Sequence, residues 1–206
     1  MRFIWCIPRC SYKKPETHAK VLKMLNIIKE RKIPGTIQLH KAIEHPHLKL
    51  LLTPVGRECV PECLDRHEMI KAITQVLTVL HLLHKDKICH CDVRWPNVIF
   101  DITTNKYVLI DFEYSRLSGS ACPSIRTRFM SKWIKRNNKW DETGDTWQVA
   151  QMVKRWMDAH GDNHAQSVVE TLIKEENWGA KHLLDKLNHV WRSYSTAATA
   201  CDKTSM

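Results

Sequence analysis

Apolar residues recur at helical spacing between Glu16 and Arg31, at Ala19, Val21, Leu22, Leu25 and Ile28, and Pro34-Gly35 stops the run. That pattern predicts one amphipathic helix. Two strand-like runs follow, Thr36 to Ala42 and His47 to Thr53, with a turn at Glu44-His45-Pro46 between them and a bend at Pro54-Val55-Gly56 after the second. Helical spacing returns from Glu68 to Lys85, where Ile70, Ile73, Val76, Leu77, Leu80 and Leu83 form one broad apolar face. A hairpin comes next: Val98-Ile99-Phe100 and Tyr107-Val108-Leu109-Ile110, joined by the polar turn Asp101 to Lys106. Three further helices are predicted, from Asp145 to about Ala159, His164 to Glu175 and Trp178 to Tyr194. At the front, Phe3 to Ile7 allows a short strand bounded by proline breakers; at the end, Ser195 to Met206 reads as a frayed tail.

The hairpin gathers chemistry at one edge. Asp92 and Asn97 stand five apart in a Pro-containing loop ahead of its first strand, and the second strand ends on Asp111. Oxygen-bearing side chains brought together in this way suit phosphoryl transfer. Mg²⁺ takes one or two carboxylates together with substrate phosphates, and a separate carboxylate can accept the proton of an attacking hydroxyl. Without that chemistry, the stretch is a β-hairpin with polar turn residues.

The run His90-Cys91-Asp92-Val93-Arg94-Trp95-Pro96-Asn97, followed by Ile110-Asp111-Phe112-Glu113, resembles the H-R-D-x-x-x-x-N catalytic loop and D-F-G loop of the protein kinase superfamily. The resemblance implies an α+β, protein-kinase-like fold, with a mainly helical large lobe and a reduced β-containing small lobe. Residues 1–56 would be the partial small lobe (one helix and two strands) with its hinge, residues 57–194 the large lobe, and residues 195–206 the tail. It implies ATP and Mg²⁺ as cofactors, Asp92 as catalytic base, Arg94 as a cation near the transferred phosphate, and Asn97 and Asp111 as metal and nucleotide ligands. Pro54 and Val55 would be the hinge whose backbone meets adenine; by their own pattern they are a loop after a strand. Asp145-Thr146-Trp147 resembles the D-x-W helix of the large lobe, which makes Asp145 a candidate for holding the loop backbone near His90; the alternative is a carboxylate in a first helical turn. Trp95 is expected to seat the loop by packing.

Departures from the family pattern limit what the resemblance implies. Cys91 replaces the Arg of H-R-D, so a phosphorylated loop has no evident partner there. Glu113 replaces the Gly of D-F-G, as in choline-kinase-like and aminoglycoside-phosphotransferase-like enzymes. Thr127-Arg128-Phe129-Met130-Ser131 looks like the substrate-positioning segment, but Lys132 and Trp133 stand where Pro and Glu of A-P-E would be. No G-x-G-x-x-G precedes residue 35 and no V-A-I-K lysine is recognisable; Lys13 and Lys14 are poor substitutes. The expected activity is phosphoryl transfer to Ser/Thr hydroxyls of a protein, with a small-molecule kinase or a catalytically inactive pseudokinase interaction module as alternatives.

At 43% hydrophobic and 26% charged the chain is ordinary globular material, and its longest apolar runs are too short to cross a bilayer. A net charge of +10 attracts polyanions in general, yet no nucleic-acid module accompanies it, so specific nucleic-acid binding is not expected. Eight cysteines in a protein that uses cytoplasmic ATP are expected to be free thiols. Cys59, Cys63 and His67 could share a helix face as zinc ligands, but Pro61 interrupts it. Clustered His40, His45 and His47 read as surface residues.

Overall fold

A computed structural model describes residues 3–6, 15–43, 49–123, 130–161, 169–170 and 179–201. A long helix, α2 (Arg66–Lys85), is the element the others pack against. Its first turn is capped by Asp65, whose side chain accepts the Glu68 N–H at 2.8 Å, which sets the start at Arg66. Along its length Ile73, Val76, Leu77, Leu80 and Leu83 are buried, as their spacing predicts, while Ile70 is half-buried.

Before it come α1 (Pro15–Arg31) and a three-stranded antiparallel sheet of β1 (Phe3–Cys6), β2 (Gln38–Ile43) and β3 (Lys49–Thr53), in the order β1-β3-β2. β1 is the short strand that Phe3 to Ile7 allows, and it joins the two predicted runs as a third strand. Val21, Met24, Leu25 and Ile28 bury one face of α1 in the main core, which also takes in Leu39 of β2 and Leu50 of β3. After the bend at Pro54, β4 (Arg57–Glu58) joins the hairpin β6 (Val98–Asp101) and β7 (Lys106–Leu109). β5 (Ile88–Cys89) pairs with β8 (Arg116–Leu117), and β9 (Ser120–Ala121) with β10 (Lys139–Trp140), which follows the short helix α3 (Lys132–Asn137).

Two helices close the core against α2: α4 (Glu142–His160) and α5 (Ala180–Cys201). α4 begins three residues before Asp145 because Asp141 caps it, accepting the Thr143 N–H at 2.9 Å. α5 buries Leu183, Leu187 and Trp191 along one stripe and runs to Cys201, past the fraying expected from Ser195. Of the helix expected between His164 and Glu175, only the helical pair Val169-Glu170 lies within the described residues. No helix among the described residues is long and apolar enough to cross a membrane.

β2 begins at Gln38 rather than Thr36 because the preceding residues pair elsewhere. Leu109 N–H donates to the Gly35 carbonyl at 2.9 Å and Ile37 N–H to the Leu109 carbonyl at 3.1 Å, a parallel bridge that ties the α1–β2 connection to β7. Gly35 has φ +75°, and a Cβ placed there would lie 2.5 Å from Val79 Cγ2. Gly35→Ala is therefore expected to destabilise the fold by about 1–3 kcal/mol through strain and overlap. A lower denaturant midpoint with an unchanged slope is the expected readout.

Candidate functional site

The loop between β5 and β6 hangs from one face of α4. Asp145 Oδ2 accepts the His90 backbone N–H at 2.7 Å and the His84 ring Nε2 at 3.0 Å, while Oδ1 accepts the Cys91 N–H at 2.8 Å and the Trp140 indole N–H at 3.0 Å. Gln148, one turn on, accepts the Val93 N–H at 2.7 Å and donates to the Cys91 carbonyl at 3.3 Å. Another turn on, the Met152 carbonyl accepts the indole N–H of buried Trp95 at 3.0 Å. Asp145 thus holds the loop backbone, and Trp95 seats it on α4 as its bulk predicts.

Asp145 is fully buried. Burial alone pushes its carboxyl up, but the hydrogen bond and proximity of His84, the nearby His90 ring and the Cys91 N–H outweigh it and hold the group below its ordinary range. These contacts also fix Cys91 at φ +68°, a left-handed conformation that costs a side-chain-bearing residue on the order of 1–3 kcal/mol. Burial raises the Cys91 thiol well above its usual value, so this position presents a neutral group where an arginine would present a charge.

With the backbone so held, the polar side chains meet. Asn97 Nδ2 donates to the Asp92 carboxylate at 2.8 Å and to the Asp92 carbonyl at 2.7 Å. Arg94 Nε donates to the same carboxylate oxygen at 3.0 Å. Asp92 and Asn97 are buried, whereas the Arg94 side chain is 42% exposed, so this cation borders solvent. Asn97 directs its amide N–H groups at Asp92, and its Oδ1 remains an oxygen donor.

Asp111 comes to the same edge through its neighbour. Ile110 N–H donates to the Asn97 carbonyl at 2.9 Å, and the Ile110 carbonyl meets His90 Nε2 at 2.9 Å. Asp111 then turns the chain in the left-handed region, φ +64° and ψ +67°, and buried Phe112 packs edge-on against the His90 ring with centroids 4.7 Å apart. Asp92, Asn97 and Asp111 therefore belong to segments joined by direct hydrogen bonds.

These segments border a cavity of about 400 Å³. Its walls are mainly apolar: Val21 and Leu25 of α1, Leu50 and Leu52 of β3, and Ile99, Ile110 and Phe112 from below. Pro54, Val55 and Gly56 line the bend side, and Asp111 and Glu113 bring carboxylates to the hairpin side. Among the described lining residues, the charged ones are Glu58, Asp111 and Glu113, all acidic. Carboxylate and amide-carbonyl oxygens of the kind that Asp111, Glu113 and Asn97 carry are the donors that Mg²⁺ prefers.

β1 carries no lysine in its sequence Phe3-Ile4-Trp5-Cys6, although it stands beside β3 and just ahead of α1. Lys13 and Lys14 lie outside the described residues, as do His45, His47, Arg128 and Phe129. Cys59, Cys63 and His67 do not form a metal site: Cys59 is buried while Cys63 and His67 are exposed. Burial, then the Glu58 charge, pushes the Cys59 thiol up to about 12, so it stays protonated. Cys59, Cys63, Cys89, Cys91 and Cys122 are free thiols. Gln148, Trp140 and His84 are site-supporting residues that the sequence pattern did not single out.

The protein kinase domain family matches residues 8–190. Crinkler effector protein 8 of Phytophthora infestans is 31% identical over 116 residues, which is 54% of this chain and 19% of that protein. The striated muscle preferentially expressed protein kinase of Danio rerio is 29% identical over 104 residues, 47% of this chain and 3% of that protein. The chain thus spans a small part of either curated relative. Among solved structures, the Cydia pomonella granulovirus kinase PK-1 superposes with a TM-score of 0.59 at 23% identity, covering 74% of this chain and 58% of that one. That likeness shows the fold, α+β and kinase-like.

Proposed function

Since the chain belongs to the protein kinase domain family, we propose that it is an ATP- and Mg²⁺-dependent phosphotransferase acting on Ser/Thr hydroxyls of a protein in the cytoplasm. The observation that carries this reading is the hydrogen-bonded set of Asp92, Arg94 and Asn97, linked through Ile110 to Asp111 at the edge of an apolar cavity. Mg²⁺ held by Asn97 and Asp111 would supply charge neutralisation for the nucleotide's phosphates. The apolar walls take the adenine and exclude water, with backbone groups at Pro54 and Val55 on the bend side. Asp92 accepts the proton of the attacking hydroxyl, its carboxylate kept in place by Asn97 and Arg94. Arg94, partly solvent-facing beside that carboxylate, supplies a cation on the side of the transferred phosphate.

The acidic lining favours a second reading, a catalytically inactive interaction module, because positioning of the phosphates is most of the work in phosphoryl transfer. Glu113 beside the cavity favours a third, a small-molecule acceptor. Thermal unfolding with and without nucleotide separates the first two. MgATP at about 100 times its dissociation constant raises stability by about 2.7 kcal/mol, and Asp111→Ala is expected to abolish the part of the shift that requires Mg²⁺. No shift at millimolar MgATP overturns the enzyme reading. Turnover of hydroxylated amines with no peptide labelled would replace the protein acceptor.

A further inference from the structure

Between Glu113 and Asp141 the sequence contains no acidic residue, while Arg116, Arg126, Arg128, Lys132, Lys135, Arg136 and Lys139 supply seven cations. These 27 residues carry +7 of the net +10, leaving +3 for the other 179. Elsewhere on the surface cations stand beside acids: Lys154 lies 2.7 Å from Asp158, Arg155 3.3 Å from Glu62 and Lys87 3.4 Å from Glu142. Lys135, Arg136 and Lys139 are exposed, and none of the three meets a carboxylate among the described residues.

This stretch is fastened to the Asp92 loop. Near its start, Ser115 Oγ donates to the His90 carbonyl at 3.1 Å and β8 pairs with β5. Near its end, Met130, Ile134 and Trp140 pack with Cys89 and Cys91 in a small buried cluster, and the Trp140 indole bonds Asp145. α3 is thus packed against the residue that precedes Asp92, and Lys135 and Arg136 are exposed on that helix, with Lys139 exposed on the strand after it. Fixed, unneutralised charge beside a site selects ligands of opposite sign, most strongly within a Debye length of about 8 Å at physiological salt.

We infer that this face docks a carboxylate-rich peptide segment of the protein acceptor, with Lys135, Arg136 and Lys139 as its anchors. The identity of the ligand as an acceptor rests on the phosphotransferase reading above. Single-stranded nucleic acid, the other polyanion, binds by stacking bases on exposed aromatic rings as well as by charge. Among the aromatic side chains described in this stretch, Tyr114 is half-buried and Trp140 is fully buried.

Fluorescence anisotropy tests this without turnover, using a labelled Glu-rich peptide with a central Ser, a Lys-rich peptide of the same length, and a single-stranded oligonucleotide of matched charge. The protein variants are Lys135→Glu/Arg136→Glu and, as a control with the same change in net charge, Lys20→Glu/Lys23→Glu on the exposed side of α1. The Glu-rich peptide is expected to bind about tenfold tighter than the Lys-rich one, losing about fivefold or more with the α3 pair and less than about twofold with the α1 pair. Equal weakening by both pairs, or tighter binding of the oligonucleotide, overturns the inference. Site-dependent peptide binding without phosphoryl transfer to the bound peptide would sink the protein-acceptor reading while leaving this surface in place.

Discussion

Asp92→Asn is expected to lower phosphoryl transfer by about 10²- to 10⁴-fold, the usual contribution of a positioned general base, with little change in folding stability or in MgATP affinity. The substitution keeps shape and volume, and the Asn97 amide and Arg94 guanidinium can still donate to the remaining carbonyl oxygen. What it removes is the second oxygen's capacity to take a proton. Asp111→Ala should lose transfer too, but by a separable route: it removes an oxygen donor at the cavity edge, so nucleotide binding loses its Mg²⁺ dependence. Rates with labelled ATP, set beside thermal shifts for each variant, distinguish the two. Transfer by Asp92→Asn at wild-type rate means that the proton goes elsewhere and Asp92 is a structural partner of Asn97.

How much of this was legible depends on how local each relationship is. Asp92, Arg94 and Asn97 are close in sequence, and their mutual hydrogen bonds follow from loop spacing. Asp145 was legible as an anchor for the loop near His90 through the resemblance of Asp145-Thr146-Trp147 to the D-x-W helix, and four N–H donors converge on it. Gln148 shares its helix face three residues on, so helical periodicity offered a signal, but a glutamine carries no distinctive charge. The pairing of Gly35 with Leu109 had no local signal: Pro34-Gly35 reads as a helix stop, and the bridge it makes is set by tertiary packing over Val79. β1 is four residues long, too short for alternation to separate it from a loop, and it is fixed by its pairing with β3. The same strand shows why the absent lysine matters: the segment ahead of α1 is present as a strand, and its residues are Phe, Ile, Trp and Cys.

Asp145→Asn is expected to destabilise the fold by about 3–5 kcal/mol, the cost of removing one member of a buried, hydrogen-bonded charged set. An asparagine fits the space but not the donors. Each carboxylate oxygen accepts two N–H groups, His84 Nε2 and His90 N on one side, Trp140 Nε1 and Cys91 N on the other. Whichever way the amide is turned, its NH₂ faces two of those donors, and each buried donor left without an acceptor costs about 1–3 kcal/mol. Because the folded-state value of Asp145 lies below its ordinary one, the carboxylate's contribution is complete above the unfolded value near pH 4 and is lost as pH falls through the lower folded value. Wild-type stability should therefore decline in the acid range below about pH 4, and that part of the decline should vanish in Asp145→Asn. Native-state exchange supplies a local readout: the His90 and Cys91 amides, both bonded to this carboxylate, should exchange markedly faster in the variant. A variant as stable as wild type, with those two amides still protected, would mean that the loop is held by Gln148 and Trp95 alone.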